Sequence, residues 1–518
     1  MTLNENQMNI YLTIGSIFFG VGIIGIGMLH FFYPGIRPIR LAGSCKFCWH
    51  ANVFMFLRYS FSYFSNSFER KMTNTFHRFS TLRNAFFTTL FLFSGTIWSC
   101  SSHDPIKRYS LVISNVTIIP IHKDSLIKNV DLFVNKGRIE KIEQHKKGRE
   151  LDLLSDLVIN GSDRYLLPGF VDCHVHYGDN EDLFSQYDSL YLKYGITKVV
   201  ALNGTDNLLK HRESIRKKAA NAPDIYCSSP RNNDPSMTAD QANDLLKEFK
   251  KKGYDFIKIY NNISKNGFYV FSGNAKKYDL RLLGHIPNSV GIFGVLQSNM
   301  ELVSHAEEFL YHSPVNYLMG EITEPLKPEE IYISQLADSV SKYQKYVSPT
   351  LVAFKSILYS ARNIKGYINS VPLPQNHPIA FHWNWSPSVS DIPKKFFTET
   401  SISRLQYAYA YQLKLVEAFN NKGVVILLGT DSPTIPGLVP GYSLHQEMQI
   451  LSEAGLSNYD ILKSATLNAA QFLNISNDFG TIEEGKEASF ILLSKNPLAD
   501  IQNTLSIEKV FYCGQTLK

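Results

Sequence analysis

Between residues 166 and 431 the sequence repeats one arrangement: a short apolar, β-rich run that carries, or closes on, a residue able to bind metal or move a proton. Leu166 to Val171 leads to His174 and His176, and Lys258 lies within Phe256-Ile257-Lys258-Ile259. Leu282-Leu283-Gly284 leads to His285, Leu302-Val303-Ser304 to His305, and Val424 to Leu428 to Asp431. Helical stretches separate the runs. Strand followed by helix, repeated, predicts an α/β fold: a (β/α)8 barrel of parallel strands, whose chemistry sits at the C-terminal strand ends. Four imidazoles, a carboxylate and a lysine are then expected around one pocket.

The tightest part of the pattern is Pro168-Gly169-Phe170-Val171-Asp172-Cys173-His174-Val175-His176. In extended backbone, residues i and i+2 point the same way. Both imidazoles therefore aim at one point, which is half of a metal site. A lone His-x-His also arises by chance on the polar face of a strand, and the four later residues are what strengthen the reading. Cys173 alternates away from the histidines and reads as a small apolar packing residue.

This constellation resembles the amidohydrolase superfamily, from about Ser110 to the C-terminus. The likeness includes Gly195 to Val200 as a second strand and Ser348-Pro349-Thr350-Leu351 as a seventh. It also includes the closing Gly480-Thr481-Ile482-Glu483-Glu484-Gly485-Lys486 with Asn496-Pro497-Leu498. The chain departs from the family pattern at Ser489, where Asp is usual; at Ser304, where Glu is common; and at Ile286-Pro287, where a small residue follows the histidine. The lysine places the resemblance with the binuclear subgroup, similar to imidazolonepropionases and Xaa-Pro dipeptidases. That resemblance implies two divalent metal ions bridged by a carboxylated Lys258. His174, His176 and Asp431 would hold one ion, and His285 and His305 the other. Mixed imidazole and carboxylate donors suit zinc, with manganese, iron and nickel as alternatives. A metal-bridging hydroxide would attack the substrate, and Asp431 would serve as general base and then acid. The bland alternative for Lys258 is an ammonium that snorkels to solvent, but Phe256, Ile257 and Ile259 set it in a buried run.

The implied activity is hydrolysis of a carbon–nitrogen bond in an amide, a cyclic amide or a dipeptide. Two alternatives stand beside it. One is a mononuclear deaminase of the same fold, which needs no lysine on the fourth strand. The other is a non-catalytic, membrane-anchored binding protein. Arg231, Tyr260 and the aromatic stretch from Tyr359 to Glu399 are the candidates for substrate contact. That stretch, with His377, His382, Trp383, Trp385 and several prolines, reads as a long loop after the seventh strand. His382 reads first as a solvent-facing loop histidine and second as a substrate contact.

Residues 109–165 and 478–518 alternate apolar and polar in short runs, with a turn at Asn135-Lys136-Gly137, and predict one small β-sandwich built from both ends. The barrel then occupies 166–477. Its last helix is expected to start at Ser457-x-x-Asp460, a capping-box-like pattern, and to continue through Leu473.

The first hundred residues differ in kind. Tyr11 to Phe32 is 22 residues without a formal charge, long enough to span a bilayer. Arg37, Arg40 and Lys46 follow it, which places that end in the cytoplasm. Ala85 to Trp98 is a shorter run of 14 residues, preceded by Lys71, Arg78 and Arg83 and followed by Ser99-Cys100. It reads as a signal peptide, a lipoprotein signal attaching lipid at Cys100, or an uncleaved anchor. Residues 1–71 are then a membrane segment, fused or from an extended start, and 72–100 the signal or anchor. The enzyme region would be extracytoplasmic and membrane-associated. The net charge of +6 resides mainly in these residues, which carry +5 up to position 106. With a nearly neutral remainder, a nucleic-acid partner is not expected. Six cysteines are too few for a disulfide framework at this length, and Cys45-x-x-Cys48 has no second pair.

Overall fold

The computed structural model describes residues 107–218, 222–312, 330–385 and 399–517. The expected membrane segment, the signal or anchor, Cys45, Cys48 and Cys100 lie outside the described residues. Among the described residues no helix is long and apolar enough to cross a membrane.

Both ends of the described chain build one sheet. Its strands are β1 (Leu111–Ile118), β2 (Ile127–Asn135), β3 (Arg138–Gln144), β4 (Val158–Asn160), β5 (Tyr165–Pro168), β14 (Phe490–Leu493), β15 (Ile507–Tyr512) and β16 (Gln515–Thr516). They hydrogen-bond continuously in the order β16-β15-β14-β5-β1-β2-β3, with β4 also paired to β1. Alternate residues of one face, including Leu111, Ile113, Leu132, Phe490, Leu492 and Phe511, form a single apolar cluster. Leu167, Ile491, Leu493 and Val510 of the same strands join the large cluster of the barrel and its helices instead. The turn at Lys136-Gly137 has φ of +51° and +74°, as a two-residue hairpin needs.

Eight parallel strands form the barrel: β6 (Phe170–Val175), β7 (Ile196–Ala201), β8 (Asp224–Cys227), β9 (Phe256–Ile259), β10 (Arg281–Gly284), β11 (Met300–Ser304), β12 (Tyr346–Ser348) and β13 (Val425–Ile426). The ladders run in two arcs, β6-β7-β8 and β9 to β13. Bridges at Ser228–Phe256 and Asn232–Ile259 join β8 to β9, and Val175–Ser432 joins the far edge back to β6. A backbone bond from Cys173 N to Leu428 O (2.8 Å) reinforces that second closure. Residues from around the ring, among them Val171, Cys173, Val200, Phe256, Leu283, Leu302 and Leu427, pack into one cluster with Phe472 and Phe479. Helices follow the strands, such as Ala239–Lys252, whose Thr238–Gln241 capping box and left-handed Gly253 set both ends.

Three expectations need correction. Leu166 to Val171 is not one strand but two. The chain changes sheets at Gly169, whose N–H donates to Ser489 O, while Phe170 N–H donates to Gly195 O. A Cβ at Gly169 would lie 2.4 Å from Thr197 Oγ1, so only glycine lets the two sheets approach there. Tyr359 onward is not loop: Leu351–Ser370 is helical, with a further short helix at Pro378–His382. Apolar spacing from Leu351 to Phe354 at the helix start was masked by the prolines and aromatics beyond. The last helix is broken at Thr466 into Asn458–Ser464 and Leu467–Phe472, because the backbone there leaves the helical region (φ −133°, ψ −89°).

Candidate metal centre

All six sequence-derived positions fall at the C-terminal ends of barrel strands or in the residues just beyond them. His174 lies in β6 and His176 directly after it, Lys258 lies in β9, and His285 and His305 directly follow β10 and β11. Asp431 stands five residues past β13, where regular pairing has ended. There the amides of Thr430 and Asp431 both donate to His174 O, at 3.2 and 2.8 Å, which binds the last barrel segment to the first. Gly429 permits this approach: a Cβ there would lie 2.3 Å from Ser348 Oγ and 2.8 Å from His174 Cβ.

The donors converge. Asp431 Oδ1 lies 2.8 Å from His176 Nε2 and 3.2 Å from His174 Nε2. One donor atom each from His174, His305 and Asp431 falls within 4.8 Å of the others. Ring centroids are 4.6 Å apart for His174 and His305 and 4.7 Å for His285 and His305. His285 Nδ1 meets Glu308 Oε1 at 2.7 Å, and His305 Nδ1 meets Thr350 Oγ1 at 2.7 Å. Each of these contacts leaves Nε2 to face the cluster. This is how metal-binding imidazoles are commonly oriented.

The cluster fits a cation. His174 is 1% exposed, and neither ring nitrogen has a hydrogen-bond partner with proper geometry among the described residues. A buried imidazole in that state is costly unless a nitrogen is ligated. Burial, then the charge of Lys258, pushes His174 well below its ordinary value, so it is a neutral donor. Burial would raise Asp431, but the imidazoles of His174 and His176 outweigh it and hold the carboxyl well below the usual carboxylate range. Lys258 is 1% exposed and makes no ion pair among the described residues. Burial lowers its ammonium to about 8, against the opposing pull of Asp431 and Glu308.

Several supporting residues carried no sequence signal. Glu308 also accepts from Ile286 N and Asn261 Nδ2, each at 2.9 Å. Asp172, buried beneath the site, accepts from His174 N and from Thr430 Oγ1, and burial raises it to about 7. A lone Glu or Asp near a strand end is too common to single out; only the fold shows what it touches.

The substrate-contact candidates divide. Tyr260 packs its ring 4.1 Å from that of His285, and the Arg231 guanidinium stands 5.7 Å from the Tyr260 ring centre. Trp385 donates to Pro433 O (3.0 Å), two residues past Asp431, and Trp383 donates to Tyr187 OH. His382 is half-buried, and a Cβ on Gly178 would lie 3.2 Å from its Nε2. It is therefore packed near the end of β6 and does not simply face solvent. His377 instead caps the helix Pro378–His382, accepting from Ile379 N.

A closed ring of eight parallel strands with a metal-type donor cluster on its C-terminal rim is the architecture of a metal-dependent barrel enzyme. Residues 411–517 match the family model described as Amidohydrolase family. That stretch, the C-terminal part of the barrel and of the terminal sheet, carries the Amidohydrolase family domain. Adenine deaminase of Clostridium perfringens is 32% identical over 94 residues, a stretch that spans only 16% of that relative and 18% of this chain. Longer matches are weaker. A 5-methylthioadenosine/S-adenosylhomocysteine deaminase of Caldicellulosiruptor saccharolyticus is 24% identical over 78% of this chain and 89% of its own. An imidazolonepropionase of Pseudomonas savastanoi is 22% identical over 73% and 91%. Among solved structures, a Xaa-Pro dipeptidase with bound methionine superposes with a TM-score of 0.59 at 18% identity, covering 79% of this chain and 99% of that one. This last likeness speaks to the fold.

Proposed function

We propose that the protein is a binuclear metal hydrolase that cleaves a carbon–nitrogen bond in a dipeptide, amide or cyclic amide. The observation that carries this reading is Lys258: a lysine 1% exposed, unpaired among the described residues, among three imidazoles and Asp431. With its ammonium lowered to about 8, a usable fraction is neutral amine near neutral pH. That amine can add carbon dioxide, lose a proton and become an anionic carbamate. His174, His176 and Asp431 would hold one divalent ion, His285 and His305 the second, and carboxylated Lys258 would bridge them, with zinc the best match to the donors. Bound there, the ions would acidify water and polarise the scissile carbonyl. Asp431 would take the proton of the attacking water and deliver it to the leaving nitrogen. Arg231, whose guanidinium stands beside the Tyr260 ring, would receive a substrate carboxylate.

Zinc content and activity against dipeptides and cyclic imides test this reading together. About two ions per chain are expected in the wild type, falling to one or fewer in Lys258→Ala. Full occupancy in that variant would remove the bridge. A mononuclear deaminase is the second reading. It is favoured by the compact His174, His305 and Asp431 group, sufficient for one ion, and by the deaminase names among the relatives. One ion per chain with ammonia released from adenine or adenosine compounds would establish it. We place the enzyme region outside the cytoplasm on the two apolar runs before Cys100. Loss of radiolabelled palmitate in Cys100→Ser would support lipid attachment there.

A further inference from the structure

We propose that Glu447, a carboxylate outside the donor cluster, is the positioning residue that sets His305 for metal binding, acting through Thr350. The proposal rests on the metal-centre reading above. His305 Nδ1 meets Thr350 Oγ1 at 2.7 Å, and the Thr350 hydroxyl donates to Pro349 O at 2.8 Å. Because that hydroxyl proton is committed to the carbonyl, Thr350 Oγ1 accepts from His305. The proton is therefore fixed on Nδ1, and the Nε2 lone pair faces the cluster.

This use of Thr350 has a structural cost. Thr350 is the N-cap residue of the helix Leu351–Ser370, where threonine ordinarily accepts from an amide of the first turn. Here it makes no such bond, and its backbone is left-handed at φ +49°, unusual for a β-branched residue. The uncapped amides are satisfied from another element. Glu447, in the helix Tyr442–Glu453, accepts Leu351 N at 3.0 Å and Val352 N at 2.6 Å. It is 0% exposed, and these two amides are its hydrogen-bond partners among the described residues. The carboxylate thus caps in trans the helix whose own cap has been turned toward a histidine. Without it, the first turn would recover its bonds most simply by rotating Thr350 back, which would release His305.

The test uses full-length protein, zinc alone as probe and chelator competition as readout. Glu447→Gln keeps one acceptor oxygen and Glu447→Ala none. Zinc affinity is expected to fall about 10- to 100-fold in Glu447→Ala, the range for loss of a ligand-orienting partner, with partial recovery in Glu447→Gln. Thr350→Val should lose a similar factor, and the Thr350→Val, Glu447→Ala double variant no more than either alone. Leu451→Ala, in the same helix, is the control: it should lower stability and leave zinc affinity unchanged. Unchanged affinity in Glu447→Gln and Glu447→Ala, losses that multiply in the double variant, or an equal loss in Leu451→Ala would each overturn the proposal. Wild-type protein that binds no zinc would overturn the metal centre itself, and the proposal with it.

Discussion

Asp431 holds a left-handed backbone at φ +61° while its carboxylate meets two imidazoles. Asp and Asn are the residues that tolerate this conformation best apart from glycine. Asp431→Asn should therefore keep the fold, seen as an unchanged circular dichroism spectrum, while kcat falls by orders of magnitude with loss of the proton acceptor. A second residue-scale prediction concerns His445, buried away from the site. Its Nε2 faces Tyr194 O at 3.0 Å and its Nδ1 Thr504 Oγ1 at 2.9 Å, and burial lowers it from 6.5 to about 4. The unfolded chain takes a proton below pH 6.5 that the native state refuses until about 4. Stability is then fully present above pH 6.5 and lost as pH falls toward 4, by up to about 3 kcal/mol. Urea unfolding at pH 7.5 and 4.5 should show a smaller acid loss in His445→Gln than in wild type.

At the scale of elements, the site depends on where strands stop. The run Val424 to Asp431 reads as one strand, yet only Val425–Ile426 pairs regularly. Beyond it the chain lies against β6, and Gly429 makes room for His174. Gly429→Ala would press a methyl into Ser348 Oγ and His174 Cβ. We expect a loss of about 1–3 kcal/mol by denaturant titration, with a larger fractional loss of bound zinc than of stability. The six candidate positions themselves were legible because each lies in or closes an apolar run. Glu308, Thr350 and Glu447 were not, since each acts on a partner between 22 and 96 positions away through geometry that no local pattern encodes. The break at Gly169 was hidden for a related reason. Both halves of Leu166–Val171 are buried and apolar, and only the partner strand tells them apart.

Across the molecule, the barrel and the terminal sheet are tied by charge as well as by apolar packing. Lys198 in β7 is 2% exposed and donates to Asp224 and, at 3.1 Å, to Glu487, with its ammonium 4.4 Å from the Phe479 ring centre. Tyr512 of β15 donates to the same Asp224 at 2.7 Å. Burial alone would lower Lys198, but Asp224 and Glu487 reverse the direction and raise it. Lys198→Met leaves two carboxylates facing each other. Because both retain some solvent contact, we expect a loss of about 2 kcal/mol, below that for a fully buried pair. The urea midpoint should fall accordingly, with zinc content unchanged.

The sequence by itself determined the class of fold and singled out six candidate positions that the barrel brings to its C-terminal rim. Strand-helix alternation and residues placed at strand ends are local properties, written within a few positions of each other. The tertiary structure decided which neighbours orient those donors: Glu308 on His285, Thr350 on His305, and Glu447 behind Thr350. It also decided where the chain crosses from one sheet to the other. Those outcomes depend on hydrogen bonds between segments remote in sequence, whose partners are fixed only when the barrel closes.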